Sequence, residues 1–290
     1  MKKIILPLLM VAALATNAQN VTNKLSFKKG QKLEVTTQVA SVATQELMGQ
    51  TMDINVAATL NHSYDVEDVT ATGAVIEHKV KRLQMSFDGM GQSQKFDSEN
   101  EADLKSDMGK AAEKSIKNKY TMTVDANGNV VTVKADDDNP NTPGGGEDMM
   151  GQMLSQMSLG LDIPKAGDPT PFKILPSTGN LAKGYSWTDS LNKNEEKGFN
   201  KYTIANITDN EIMIDLNGQS TSSKEQEAQG MQMTINMESK LAGKITLDRK
   251  SGLMKQRTVT TEGSGSVEVA GQSIPITNKI TVTTNVAGIQ

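Results

Sequence analysis

The sequence predicts a mainly β protein made of two curved antiparallel sheets, half-barrel or clamshell-like in shape, with one or two short helices. Three observations predict this class. Apolar and polar residues alternate along most of the 290-residue chain, which is typical of half-buried strands. Short glycine-containing turns separate the alternating stretches, and such turns connect antiparallel strands because parallel strands need long crossovers. Aromatic residues make up only 3% of the chain while 17 residues are Met, so the core must be aliphatic and Met-filled.

The first half of the chain predicts a meander of strands and one surface helix. Residues 32–60 alternate with a break at Gly49-Gln50, which predicts a long hairpin, and residues 62–96 supply further strands. Residues 97–119 carry apolar residues at helical spacing, and Ser98 or Asn100 can cap this helix. Asn127-Gly128 predicts a two-residue hairpin turn, since both central positions of that turn need positive φ.

The tract Asp136–Gly146 divides the chain. It contains no apolar residue, two prolines and a glycine triplet, so it can neither bury a side chain nor continue a strand. Its aspartates could hold Ca²⁺, but their spacing is not that of an EF-hand, and a solvated linker is favoured. We therefore predict a first β unit over residues 19–135 with a helix near 100–118, a linker over 136–178 with a short Met-rich helix, and a second β unit over 179–290.

The two halves carry similar local motifs. Gly30 and Gly184 stand at corresponding points before the first strand of each half, and the turns at Gly128 and Gly252 also correspond. The spacings between such motifs differ by tens of residues. Two interpretations stay open: an internal duplication, or the resemblance that strand-rich sequences share through composition.

The N-terminus predicts export. Residues 1–18 form a short basic region followed by an apolar run too short to span a membrane, which indicates a signal peptide cleaved after Ala18 to leave Gln19. No Cys follows the run, so a lipid-attachment site is excluded, and no later stretch has the length of a membrane helix. We expect a periplasmic or secreted protein without a transmembrane segment after signal removal. The net charge of −4 gives no electrostatic case for nucleic acid as a partner.

The sequence offers little chemistry. The absence of Cys excludes thiolate catalysis and Cys-type zinc sites, and no glycine-flanked serine elbow or phosphate loop is present. His62 and His78 could form a metal site with Asp65 or Glu77. The pattern favours two unrelated imidazoles on the solvated face of the sheet. We predict no catalytic residue, no metal and no cofactor.

Methionine is the compositional oddity of this chain. Met149, Met153 and Met157 recur every four residues, which places them on one helix face, and Met231 and Met233 share one side of a strand. Three interpretations stay open: ordinary core residues in a chain with few aromatics, the lining of a pocket for an apolar ligand, or Cu(I) ligands. These five residues are the candidate ligand-binding residues.

Four motifs resemble a known family. They are Phe27-Lys-Lys-Gly-Gln31, Met48-Gly-Gln50, the Asn127-Gly128 hairpin and Lys183-Gly-Tyr-Ser-Trp187. Together they resemble an uncharacterised family of exported bacterial β-rich proteins, domain of unknown function 6263, over essentially the whole mature chain. The resemblance implies Gly-Asp-x-Trp at the last motif, where this chain has Tyr185. It implies no activity and supplies no catalytic residue.

The sequence thus favours an exported, non-enzymatic protein of the cell envelope or the secreted fraction, which binds an apolar small molecule such as lipid. Two alternatives remain. One is a structural or protein-interaction module whose partner is an envelope protein, bound through exposed strand edges or a surface patch. The other is a hydrolase, which would need at least two convergent titratable groups in a cleft.

Overall fold

A computed structural model of the chain describes residues 21, 23–47, 50–89, 91–135, 159–161, 163–179, 181–193, 195–228, 231–269 and 271–289. Most of these residues belong to β-strands and only two short helices are present in the described ranges, so the mainly β class is confirmed. None of the helices in this part of the chain is long and apolar enough to span a membrane. The expected signal peptide and the Asp136–Gly146 tract lie outside the described residues.

The first half supplies six strands whose turns follow the sequence. Leu47 pairs with Gln50, so the hairpin predicted at Gly49-Gln50 is confirmed. Gly128 has φ of 81°, and the backbone N–H groups of Asn127 and Asn129 donate to the Asp125 carboxylate at 2.9 and 2.8 Å. The hairpin is confirmed, but the two-residue turn is not. Residues 126–128 connect the strands, because the Asp125 N–H donates to the Asn129 carbonyl oxygen at 2.9 Å. The strands are β1 (Lys32–Leu47), β2 (Gln50–Thr70), β3 (Gly73–Gly89), β4 (Gln92–Asp97), β5 (Lys119–Asp125) and β6 (Val130–Ala135).

Two helices lie between β4 and β5, where one helix was predicted near residues 100–118. They are α1 (Glu101–Leu104) and α2 (Asp107–Ile116). Asn100 is the N-cap of α1, because its side-chain oxygen accepts a hydrogen bond from the Ala102 N–H at 2.9 Å. Met108 and Ala112 of α2 are buried against the sheet.

The second half supplies six further strands, connected in chain order. They are β7 (Ser186–Lys193), β8 (Glu196–Ile207), β9 (Glu211–Ala228), β10 (Met231–Asp248), β11 (Met254–Val269) and β12 (Gln272–Ala287). Each strand pairs antiparallel with the next one in sequence.

The two predicted sheets are one sheet. The described strands follow the order β6-β5-β3-β2-β1-β12-β11-β10-β9-β8-β7, with β4 attached to β3. The joint is the antiparallel pair β1–β12, which runs from Glu34–Ala287 to Gln45–Ile276. Two separate sheets would each leave a long edge strand with unpaired backbone groups, and the pairing of β1 with β12 satisfies both edges. Pro275 lies one residue beyond the last β1 pair, at a position where β12 needs no donor on that side.

One face of the sheet carries the core, and we call it the inner face. Tyr120 of β5 and Ile204 of β8 belong to the same buried cluster although their strands lie near opposite ends of the strand order. The buried cluster is therefore continuous across the inner face from one wing of the sheet to the other. Phe172 and Leu175, from the segment predicted as linker, fill this cluster at 0% and 5% exposure.

Glycines on the inner face allow neighbouring strands to approach closely. A Cβ built at Gly265 would lie 1.9 Å from the carbonyl oxygen of Asn236 on β10. A Cβ built at Gly243 would lie 2.5 Å from the carbonyl oxygen of Thr258. Because both obstacles are backbone atoms, a side chain there must displace a strand.

We predict that Gly265→Ala lowers the free energy of unfolding by about 1–3 kcal/mol, the usual cost of overpacking. Ser264→Ala is the matched control, because Ser264 is exposed and points to the other face. Urea denaturation monitored by circular dichroism measures both variants. Equal midpoints for the two variants would show that the strand spacing does not depend on this glycine.

Candidate functional site

The inner face has a covered end and an open end. Towards the hairpin tips of β10–β12 most inner-face residues stay apolar but are only half-buried by the described residues, whereas the inner face of β9 there is polar. Cross-strand pairing aligns them in two rows: Met237, Gly265 and Ile276, then Ile235, Val267 and Ile274. We call the apolar residues of this region the distal patch, which comprises Met233, Ile235, Met237, Val267, Ile274 and Ile276.

The distal patch differs from ordinary core in its exposure. Ile245 and Leu247, farther along the same face of β10, are 1% and 0% exposed, whereas Ile235 and Met237 remain partly open. Aliphatic and thioether side chains adapt to ligands of varied shape, and apolar surface left uncovered on a soluble fold marks an interaction site. The patch is therefore the candidate binding site.

The predicted Met residues have different outcomes. Met233 lies in the distal patch, half-buried on the inner face opposite Val269 of β11. Met231 begins β10, and nothing is described of its side chain. Met149, Met153 and Met157 lie outside the described residues. Their role as pocket, core or copper ligands stays a prediction.

The outer face carries polar concavities over the same strands. One has a volume of about 640 Å³ and another about 660 Å³. Lys197, Thr221, Glu238 and Ser264 border both. Hydroxyl, amide and charged groups dominate the lining of these concavities, so polar and apolar surfaces lie back to back on the two faces of one sheet.

Both histidines lie in the core, which corrects the interpretation from sequence. His62 and His78 are 2% and 0% exposed, and His62 Nδ1 lies 3.0 Å from His78 Nε2 across strands β2 and β3. They are neither unrelated nor solvated. A usable signal was present, because His62 shares its parity with Leu60 and Tyr64, and that face of β2 is apolar. The interpretation from sequence gave more weight to the polarity of imidazole than to this parity.

The two carboxylates proposed as metal ligands lie on the opposite face. Asp65 pairs across the strands with Glu77, and both contact Lys79 Nζ, at 3.0 and 3.5 Å. No group of three or more potential metal ligands occurs among the described residues. The histidines and these carboxylates therefore cannot combine in one site.

The histidines form part of a buried aromatic cluster. The His78 ring stacks on Tyr120 with centroids 4.4 Å apart and lies 4.7 Å from the Tyr64 ring. The backbone of Leu159 also acts on His62 and raises its pKa, against the larger effect of burial. One imidazole donates to the other between His62 Nδ1 and His78 Nε2, and His78 Nδ1 has no hydrogen-bond partner in the described chain.

Burial holds all four rings neutral. Desolvation lowers the pKa of His62 to about 4 and the pKa of His78 to about 3, and a charge on His62 lowers the latter further. Desolvation also raises the pKa of Tyr64 and Tyr120, and the negative charge of an ionised Tyr120 would raise the pKa of Tyr64 again. A buried, neutral cluster without solvent access suits packing.

We predict that the protein loses stability as the pH falls from about 6.5 to about 4. Below pH 6.5 the two histidines bind protons in the unfolded protein but not in the folded one. Each pH unit therefore lowers the free energy of unfolding by up to about 1.4 kcal/mol per histidine. The loss at pH 4.5 is about 2–5 kcal/mol relative to pH 7. Urea denaturation at the two pH values measures it.

The double variant His62→Phe/His78→Phe is the control for this pH dependence, since it keeps the ring volume and removes the titration. Its stability should change less between pH 7 and pH 4.5 than that of the original protein. An unchanged difference would assign the acid sensitivity to other groups.

Two solved structures are similar in backbone to this chain. Its backbone aligns over 91% of its length with a structure on lipid–protein interactions in lipovitellin, at 10% identity and a TM-score of 0.47. It spans 26% of that chain. An outer membrane channel from Pseudomonas putida F1 aligns over 91% of this chain and 98% of its own, at 8% identity and a TM-score of 0.25. No curated protein matches the sequence. Residues 71–254, more than half of the chain, match the model of the Family of unknown function (DUF6263), and the chain belongs to this family.

Proposed function

We propose that this protein is an exported, non-enzymatic protein of the cell envelope or the secreted fraction, which binds an apolar ligand such as a lipid on its inner face. The observation that carries the proposal is the distal patch. There the inner-face positions of three adjacent strands remain apolar beyond the end of the packed core, with their side chains half-open. Burial of this surface by a ligand would gain about 25 cal/mol per Å² of apolar area removed from water.

The continuity of the inner face supports this proposal. One buried apolar cluster reaches from β5 to β8 on this face, and the distal patch extends the apolar surface on β10, β11 and β12. Apolar sites with few polar groups are the usual form of small-molecule sites. Gly265, opposite Met237, leaves the surface there without a β11 side chain.

A second candidate is a protein-interaction module. The strand order ends at β7, whose outer edge pairs with no other described strand. A partner could add a strand there through backbone hydrogen bonds. This function predicts binding that is insensitive to substitutions in the distal patch, so the experiment on Ile276 below separates the two candidates.

We predict that Ile276→Lys weakens binding of an uncharged apolar fluorescent probe, a pyrene-labelled hydrocarbon, about tenfold or more. A desolvated ammonium under the ligand costs more than the 1.4 kcal/mol that this factor represents. Thr277→Lys is the matched control, because Thr277 is exposed and its side chain points to the outer face. It adds the same charge one residue away.

Binding that stays equal in both variants would overturn the inner-face site. Mass spectrometry of lipids extracted from the purified protein adds a second measurement. Reproducible lipid in the original protein and in Thr277→Lys, with its loss in Ile276→Lys, supports the proposal.

Export is tested separately. We predict that expression in a Gram-negative host yields a periplasmic or secreted protein that begins at Gln19, as determined by intact-mass analysis. Leu8→Arg/Leu9→Arg interrupts the apolar run and should retain an unprocessed protein in the cytoplasm. Efficient processing of this variant would refute the assignment of residues 1–18 as a signal peptide.

A further inference from the structure

Arg257 is an isolated charge on the inner face. In the described parts of the five central strands β10, β11, β12, β1 and β2, all other inner-face positions carry apolar, hydroxyl, amide, glycine or histidine residues. The cross-strand neighbours of Arg257 are Ile245 and Thr284. Thr37 and the fully buried Leu60 continue the same row. Arg257 is thus the one charged residue on the described inner face of these five strands, whereas the flanking strands carry Lys224 on β9 and Asp189 on β7.

The charge of Arg257 has no counter-ion in the described chain. Its side chain is half-buried and takes part in no ion pair or hydrogen bond with a described residue. Asp189 is the acidic residue on the inner face of the nearby edge strand β7, yet its exposed side chain forms no ion pair with Arg257. A half-desolvated cation without a partner is costly unless an anion completes the site.

Three aromatic rings lie on or next to the edge strands of the same face. Trp187 and Tyr202 stack with centroids 5.1 Å apart and planes 6° apart, and Tyr185 extends the stack at 6.2 Å. Tyr202 is near enough to Arg257 for the guanidinium charge to act on its hydroxyl. All three rings are half-buried at the margin of the core. They offer apolar faces and hydroxyl groups at the point where covered and open inner face meet.

We propose that Arg257 binds the anionic headgroup, carboxylate or phosphate, of an amphiphile whose chain extends along the inner face to the distal patch. This inference rests on the proposed function and names the class of its ligand. The planar guanidinium matches either headgroup with paired hydrogen bonds. From Arg257 to Gly265, opposite Met237, strand β11 rises eight residues, or about 26 Å. That span matches an extended hydrocarbon chain in length; on β11 Val259 and Gly263 are already buried along it, whereas the inner-face residues 276–284 of β12 are half-buried.

The chain contains its own reporter for this site. Trp187 is the only Trp, and it stacks on Tyr202, whose hydroxyl senses the charge of Arg257. Titration of the purified, delipidated protein with palmitate, hexadecyl phosphate and 1-hexadecanol, followed by Trp fluorescence, compares three headgroups on one chain length. We expect an anionic ligand to bind about tenfold or more tightly than the alcohol, the effect of charge-assisted hydrogen bonds. The stronger of the two anions identifies the headgroup chemistry.

Variants assign the preference to Arg257. Arg257→Met should remove the preference for the anion, because it weakens binding of the anionic ligand and leaves binding of the alcohol unchanged. Arg257→Lys should keep part of this preference. Lys240→Met is the matched control, because Lys240 is exposed on the outer face of β10 and its loss changes the net charge equally. It should keep the full preference.

The outcomes are distinguishable. Failure of all three ligands to bind would refute the proposed function itself. Equal binding of anion and alcohol, or an unchanged preference in Arg257→Met, would overturn this inference alone. A preference lost in Lys224→Met instead would place the headgroup at the distal end of β9 and also overturn it. A melting temperature of ligand-free Arg257→Met below that of the original protein would reveal an internal partner for Arg257. That result would also overturn this inference.

Discussion

The antiparallel pairing of β1 with β12 is the contact on which the rest of the structure depends. These strands come from opposite ends of the chain, and their ladder from Glu34–Ala287 to Gln45–Ile276 joins two meanders into one sheet. Everything else in the sheet is local, since the other strands of the main order pair with near neighbours in sequence. Formation of this long-range ladder requires most of the conformational entropy that the fold loses on loop closure. The same ladder makes the inner face continuous.

A continuous inner face has two consequences. Near the chain ends of β1 and β12, segments 23–31 and 163–181 close over it and give the packed core around Phe172. Towards the hairpin tips of β10–β12 the same alternation of side chains continues with no described segment above it. The described part of the chain leaves these apolar residues half-buried, and this is the surface that the proposed ligand would cover.

The sequence was sufficient for what depends on neighbouring residues. Alternation and turn residues located the strands, the hairpin at Asn127-Gly128 and the helical region after Ser98, because each follows from local geometry. Partner choice between distant strands has no local signal, so the joining of β1 with β12 was missed and two sheets were predicted. The histidines were missed for a related reason: parity placed His62 inward, but only cross-strand register shows that His78 meets it there. Arg257 was overlooked because a single Arg in a strand carries no pattern.

The distribution of rings along the sheet separates a rigid end from an adaptable one. All four Tyr and the single Trp lie in two clusters, Tyr64 and Tyr120 around the histidines, and Tyr185, Trp187 and Tyr202 at the edge. Rings have few rotamers and fix one packing arrangement, whereas the distal patch contains only Met, Ile and Val. An amphiphile held at Arg257 would then have its headgroup in ordered surroundings and its chain on a surface that tolerates different lengths. Selection by headgroup with tolerance of the chain is the specificity that this division of side chains favours.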